Sequence, residues 1–542
     1  LIGGGQFTQR TAQQGKFAEG EAPVPMLTHA ARMAAADTGA ADAVIAAIDA
    51  IAIVRLIADS SESRRLPVGV ITNPPRSVAK QLGVSPRREI YTAAGGNTPQ
   101  QLVNHFAEEI AEGRTEVALL AGCENLASLM GSMKAGLKLE WGDDAGGKPE
   151  EFGDYRRGSS DYEKAHGAWI PVNNYPLFEN AIRGAKGRSV AEHQKRMGEL
   201  FARYNQVAAA NPLSWFPTRR SAEEIATPTP KNRYVGFPYT KYLNAVIEVD
   251  QAAAVVMTSV GKAREMGVPE DKWVYLHGCA EATDIWHITE RSDYTVSPAI
   301  KLMGEKAFAM AGLTIADIGA MDLYSCFPSA VEYALDAFGL DQDDPRGFTV
   351  TGGLPYFGGA GNNYVMHSIV SMLDKVRAER GSYGLVTANG MYATKHACGI
   401  YSTTPTKGAW KRENPKDYQK QLDSPVADMA NVGDPSRVTV ASRNVRGAIP
   451  GRGDQTVHPS LPAQSDAQTN GVNIRRFIKL GSLDYSTAYY AGCDAKVSVD
   501  CGGIVSRRMF PIERSRARLQ LSRRHAPQRK DDSRGSGDEH RS

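Results

Sequence analysis

The chain has 542 residues, more than one ordinary hydrophobic core organises, so two or three folding units or one large duplicated unit are expected. A hydrophobic fraction of 42% and a charged fraction of 23% are those of a globular protein rather than a disordered or membrane-embedded chain. The formal net charge of +3 gives no overall electrostatic case for nucleic acid.

Up to about residue 410 short apolar runs alternate with helical patterns, the rhythm of α/β layering around a sheet. The most apolar stretch, 43–58, is interrupted by Asp49 and Arg55, so no membrane span is expected there. Strands are expected at 50–54, 117–121, 252–258, 273–276, 320–324 and 385–388, all short, rich in Val, Ile, Leu and Ala, and bounded by glycine or polar turns. Between the first two lies a helix over 98–112. Thr98 is its expected cap, Pro99 its first residue and Gln101 the partner completing a capping box, with Leu102, Val103, Phe106 and Ile110 on one face and Gly113 closing it.

Residues 140–240 are dense in Trp, Tyr, Pro, Asn and charge and carry one evident helix, 189–208. They read as a long insertion between the strand near 120 and the strand near 255, and long inserted loops are commonly functional. Pro328 opens a helix over 329–338, and the glycine-rich loop 352–361 leads into another over 362–377. Beyond about 410 the α/β pattern stops. Residues 437–446 fit one strand, 447–475 are polar, and the arginine-rich last forty have little with which to make a core, so disorder is expected there. Phe510 alone among aromatic residues falls between those arginines, which leaves base stacking with little support.

The six cysteines, at 123, 279, 326, 398, 493 and 501, lack CxxC spacing, which disfavours a zinc site or a disulfide framework and fits a reducing cytoplasm. Cys326 stands at a strand end just before a proline-opened helix, where an electropositive setting would favour the thiolate; a buried structural cysteine is the other reading. Lys395, His396 and Cys398 cluster near the end of the α/β region, and His396 is a candidate general acid or base, or a hydrogen-bonded structural residue. Gly95 and Gly96 before the 98–112 helix fit an anion or oxyanion site, or a tight turn.

Several segments, in order, resemble the thiolase superfamily: Gly5-Gln-Phe-Thr-Gln-Arg10, Gly95-Gly-Asn-Thr-Pro-Gln100, Ala121-Gly-Cys-Glu124, Phe237-Pro-Tyr-Thr-Lys241 with Val249-Asp-Gln251, Asp322-Leu-Tyr-Ser-Cys-Phe-Pro328, Gly352-Gly-Leu-Pro-Tyr-Phe-Gly-Gly-Ala-Gly361 and Lys395-His-Ala-Cys-Gly-Ile-Tyr401. The likeness is to acetyl-CoA acetyltransferases of sterol-carrier-protein type and above all to the variant called thiolase-like protein type 1. It implies an α/β chain with a duplicated thiolase fold, five layers αβαβα, an inserted loop domain and a C-terminal extension. The implied boundaries are 1–125 with 240–265 for the N-terminal half, 126–239 for the loop domain, 266–410 for the C-terminal half and 411–446 for the remnant of an extra domain. Residues 447–542 would be a disordered or frameshifted tail.

The resemblance further implies a coenzyme A thioester as substrate or ligand, with no permanently bound cofactor and no metal. It implies an acyl-CoA partner, with a carrier or partner protein and a homodimer paired through the edge of the core as further expectations. Thiolases attack with a cysteine at the start of a buried helix; here Gly96 or Asn97 falls at that position. The family's loop histidine is replaced by Gly359, its His-Asp-Cys-Phe by Tyr324-Ser-Cys-Phe327 and its terminal Cys-x-Gly by Asn389-Gly-Met. Coenzyme-binding positions by resemblance are Gly95, Gly96, Asn97, Tyr324, Ser325, Gly358, Gly359, Asn362 and Asn389, with Cys326 and His396 as the surviving candidates for chemistry. An acyltransferase in lipid metabolism using other residues, or a non-catalytic acyl-CoA binder, follows.

Overall fold

The glycines at positions 3 to 5 let the first strand lie flat on a helix. Strand β1 (Gly3–Thr8) packs against α1 (Pro23–Asp37), where a β-carbon on Gly5 would come within 2.6 Å of the Ala30 carbonyl oxygen. The structure, a computed structural model, describes residues 1–60 and 68–423, all within one unit. After α1 come α2 (Ala41–Ala46), β2 (Ala50–Ile53), α3 (Pro74–Leu82), β3 (Arg88–Thr92), α4 (Thr98–Ala111), β4 (Val117–Asn125), α5 (Leu126–Ala135) and a short β5 (Glu150–Phe152). Then follow α6 (Asp161–Ala165), α7 (Pro171–Ala185), α8 (Val190–Ala210), α9 (Ala222–Ala226), the small pair β6 (Tyr234–Gly236) and β7 (Tyr239–Thr240), and β8 (Asp250–Thr258). The rest comprises α10 (Val260–Glu265), β9 (Tyr275–Thr283), α11 (Pro298–Ala311), β10 (Ile318–Asp322), α12 (Pro328–Phe338), α13 (Tyr364–Ala378), β11 (Tyr383–Gly390), β12 (Lys395–Ser402) and α14 (Pro415–Asp423).

The two large sheets repeat one plan. The first runs β1-β8-β4-β2-β3-β5 and the second β9-β12-β11-β10. In each, the first strand is antiparallel to the last-formed one, that strand is antiparallel to the next, and the next is parallel to its outer neighbour. Helices α1 and α3 cover the outer face of the first sheet, α11 and α12 lie outside the second, and α4 and α13 pack between the two. The result is a five-layer stack. Strands β2, β4 and β12 are buried throughout, as sheets covered on both faces require; β2 and the start of β4 read as continuous apolar runs for that reason, whereas β12 opens on Lys395 and His396 and does not. At the outer edge of the first sheet β5 pairs in parallel with β3, joining Ile90, Tyr91 and Thr92 to Glu150, Glu151 and Phe152.

Several expectations are corrected. Residue 97, not Thr98, is the N-cap of α4, and no side chain caps the helix; Thr98 instead turns its hydroxyl back to the Gly95 carbonyl at 2.6 Å, so the capping box is absent. The strand expected at 273–276 begins at Tyr275 and continues to Thr283, because pairing with β12 carries the polar residues Glu281 and Thr283 along one face, past a register shift at His277. The strand expected at 320–324 is Ile318–Asp322, leaving Tyr324 in the following loop. The helix expected from 362 opens as a tighter turn, Gly361–Asn363, before α13. The 140–240 stretch holds α6 to α9 rather than one helix; α7 escapes notice because Pro171 and Pro176 break its pattern, although Pro171 suits a first helical turn. The expected strand at 437–446 and the tail lie outside the described residues, as do Cys493 and Cys501.

Candidate functional site

The loop before α4 is held by the other half of the chain. Gly95, at φ +152°, donates its amide to Asn362 Oδ1 at 2.9 Å. The same amide side chain donates from Nδ2 to the Arg55 carbonyl at 2.7 Å and to Ser60 Oγ at 3.2 Å. Beneath it lies Glu124, at the end of β4, which accepts from the Ile57 amide at 2.8 Å. Burial pushes its carboxyl up to about 8, against the backbone hydrogen bonds from Ile57 and Asn362. Among the described residues no acceptor is paired with the Gly96 amide, which stands at the positive end of α4.

Residue 96 has no room for a side chain. A β-carbon there would overlap the Tyr324 hydroxyl and lie 2.5 Å from the Asn389 carbonyl oxygen. Tyr324 is fixed by its amide, which donates to Thr387 Oγ1 at 3.0 Å. Asn389, on β11, donates from Nδ2 to the Tyr175 hydroxyl at 3.0 Å, while its Oδ1 is buried without a partner. Tyr175 arrives from α7, stacks on Phe327 at 4.4 Å, accepts from the Ala393 amide at 3.1 Å and hydrogen-bonds the Cys326 thiol. Met391 and Ala393, in the turn between β11 and β12, hold left-handed backbone angles, φ 59° and 48°.

Cys326 is therefore at the margin of this group, and its expected lowering is reversed. Burial pushes the thiol up to about 12, with the Tyr175 hydroxyl and the Phe327 amide opposing. A strand-end, helix-start position does not lower a thiol that water cannot reach. Ser325 is buried and accepts from the Leu354 amide at 3.3 Å, tying this segment to the glycine-rich loop. In that loop Gly358, at φ +122°, packs against the Gln251 amide, and the Gly359 amide donates to the Val246 carbonyl at 2.7 Å.

His396 pairs across the sheet with Asn389, and its Nε2 meets Asp284 Oδ2 at 3.2 Å. Asp284 also accepts from Ser297 Oγ at 2.5 Å and the Ala299 amide at 3.1 Å, so this pair closes the start of α11. Burial works to raise the Asp284 carboxyl, but His396, Arg291 and Ser297 together hold it below its ordinary range. The structure thus gathers Gly95, Gly96, Asn97, Tyr324, Asn389 and Asn362, places Ser325, Gly358 and Gly359 in the supporting loops, and engages His396 with Asp284.

Two features were not legible from the residues. Tyr175 comes from the inserted stretch, and no local pattern joins it to Asn389. Lys395, adjacent to His396 in sequence, sits on the opposite face of β12, where its Nζ donates to the Ala94 carbonyl at 2.6 Å beside a cleft of about 720 Å³. Elsewhere Glu179, His193 and Glu332 form a buried group with His193 Nε2 2.5 Å from Glu179 Oε1; Tyr239 and Arg188 already bond its carboxylates.

Residues 280–361 match the family described as Thiolase C-terminal domain-like. The crystal structure of a monomeric SCP2-thiolase like protein type 1 from Mycobacterium smegmatis is 38% identical, covers 78% of this chain and 80% of that one, and superposes with a TM-score of 0.65. Among curated relatives, an acetyl-CoA acetyltransferase of Methanocaldococcus jannaschii is 24% identical over 254 residues, 46% of this chain and 56% of that protein. A steroid side-chain-cleaving aldolase of Thermomonospora curvata is 27% identical over 186 residues, 32% of this chain and 46% of that protein. The chain thus spans about half the length of these two curated relatives. Repeated sheets, buried central helices and identity to the mycobacterial protein over most of both chains agree: the chain belongs to the thiolase superfamily, among its SCP2-thiolase-like members.

Proposed function

We propose that the protein handles a coenzyme A thioester, as a member of an acyltransferase family, and does so without the cysteine route of thiolases. The observation that carries this reading is the closure of residue 96 by Tyr324. An acyl-enzyme at the start of α4 needs a thiolate there, and a glycine packed under a phenol supplies none. Gly359 and Asn389 likewise offer no imidazole or second thiol at the positions assigned to them by resemblance. Binding has support: the Gly96 amide is unpaired among the described residues at a helix start, and Asn362 fixes the loop before it. Four buried, unpaired cysteines support a cytoplasmic setting, and no helix among the described residues is long and apolar enough to cross a membrane. The occupied outer edge of β3 supports a single chain rather than a strand-paired dimer, with any partner a carrier protein.

Calorimetry and thermal shift with coenzyme A, acetyl-CoA and a long acyl-CoA test the reading, since a ligand bound only by the folded state raises its stability. A rise in melting temperature with at least one, together with no cleavage of acetoacetyl-CoA, is expected. Robust thiolysis by the unmodified protein, or no shift with any of them, overturns it.

One observation favours a second reading, cleavage of a carbon–carbon bond in a bound thioester. The phenols of Tyr324 and Tyr175 both face this group and burial holds both protonated, so either can donate a proton to a departing carbon. A relative named as an aldolase supports it. Release of aldehyde from a β-hydroxyacyl-CoA, abolished in Tyr324→Phe, is the result that separates it from pure binding.

A further inference from the structure

On the far side of the 95–97 loop from Tyr324, a cleft of about 720 Å³ opens between α4, the ends of β9 and β12, and α14. Lys395 lines it and is only 4% exposed. Among the described residues its amine has one hydrogen bond, to the Ala94 carbonyl at 2.6 Å, and forms no ion pair. Buried cations are ordinarily paired, because an unpaired charge out of water is costly. Burial accordingly pushes this amine down to about 8, Asp154 partly opposing.

The same cleft gathers acceptors that lack donors. Asn97, 3% exposed, lines it, and its Oδ1 is buried against Gly95 and Gly390 without a partner among the described residues. Glu281 has one oxygen on Arg412 at 3.2 Å, and the other is buried and unpartnered. In the pairing of β9 with β12, Lys395 stands opposite Thr283 and Ala397 opposite Glu281. Lys395 and Glu281 therefore share one face two positions apart, roughly 7 Å along the strands. His105 Nε2, also unpartnered, borders the opening.

We propose that this cleft is a second ligand site, sharing only Asn97 with the thioester group, in which the Lys395 amine condenses with a small hydroxylated aldehyde or ketone while Asn97 and Glu281 accept from its hydroxyl groups. The amine nitrogen bonds to the carbonyl carbon as the carbonyl π pair moves to oxygen. The two protons of the nitrogen leave with that oxygen as water, and a carbon–nitrogen double bond remains. No oxidant or reductant is consumed.

The test traps that bond. The full chain is incubated at pH 8 with glycolaldehyde and cyanoborohydride, which reduces the imine to a stable secondary amine, and the adduct is mapped by peptide mass spectrometry. Lys395 is expected to be modified at least tenfold faster than the exposed Lys138 and Lys195, and acetaldehyde, which has no hydroxyl for Asn97 and Glu281, is expected to react more slowly there. Lys395→Arg keeps the charge and should abolish the adduct without lowering the melting temperature. Glu281→Gln, which leaves the lysine in place, should slow trapping by glycolaldehyde but not by acetaldehyde. Modification spread over surface lysines with Lys395 untouched, in the unmodified protein, overturns the proposal.

Discussion

Asn362, on the loop entering α13, accepts the Gly95 amide at 2.9 Å and so fastens the second half of the chain to the loop that precedes α4. Asn362→Ala removes this bond and leaves the Arg55 carbonyl and the Gly95 amide without their partner. Stability to urea should fall by roughly 2–3 kcal/mol, the cost of orphaned buried groups. A loss below half a kcal/mol shows that water replaces the side chain.

Gly96→Cys places the family's thiol where the Tyr324 hydroxyl already lies. Overpacking should destabilise the variant by about 1–3 kcal/mol without conferring thiolysis. Combining it with Tyr324→Ala should return part of that stability, a coupling that a double-mutant cycle reads directly. Additive losses would mean that the two positions do not compete for the same space.

Glu124 sets a pH dependence. In the folded protein its carboxyl keeps its proton up to about pH 8, whereas the unfolded chain releases it near 4.5. The folded state therefore binds more protons across that window, and stability falls as pH rises through it, by on the order of 1.4 kcal/mol for each pH unit. Glu332, raised to about 7 chiefly by burial, acts in the same direction. Urea titrations between pH 5 and 8 should show a shallower slope for Glu124→Gln than for the unmodified protein; equal slopes would place the ionisation elsewhere.

Native alkylation at pH 7 should leave Cys326 unlabelled along with Cys123, Cys279 and Cys398, since all four are buried and burial raises every one of these thiols. Labelling of Cys326 within minutes, seen by peptide mapping, would show that the Tyr175 side chain moves away and exposes it.

Much of the core was legible because strands covered on both faces advertise themselves as apolar runs, as β4 and β8 do. Their pairing and the repetition of one sheet order in the other came only through the family likeness, since no local pattern states which run lies beside which. Helix α4 starts one residue earlier than its Thr-Pro signal implies, because the backbone at Asn97 takes the cap position without a capping side chain. The helix opening at Pro328 just after Cys326 was readable; the strand that carries His396, and the environment of both residues, were not. Solvent exclusion at Cys326 and the Asp284 contact of His396 arise from α7 and the loop before α11, segments distant in the chain.

The turn from β11 to β12 has a thermodynamic consequence. Met391 and Ala393 each occupy a left-handed conformation that a side chain disfavours by roughly 1 kcal/mol or more, and glycine at either position would relieve it. Yet this turn delivers the Asn389 carbonyl to residue 96 on one side of the 95–97 loop and the Lys395 amine to Ala94 on the other. Met391→Gly or Ala393→Gly would therefore make the folded protein more resistant to heat while loosening the one segment that sets the spacing of both sites, so ligand affinity should decline as the melting temperature climbs.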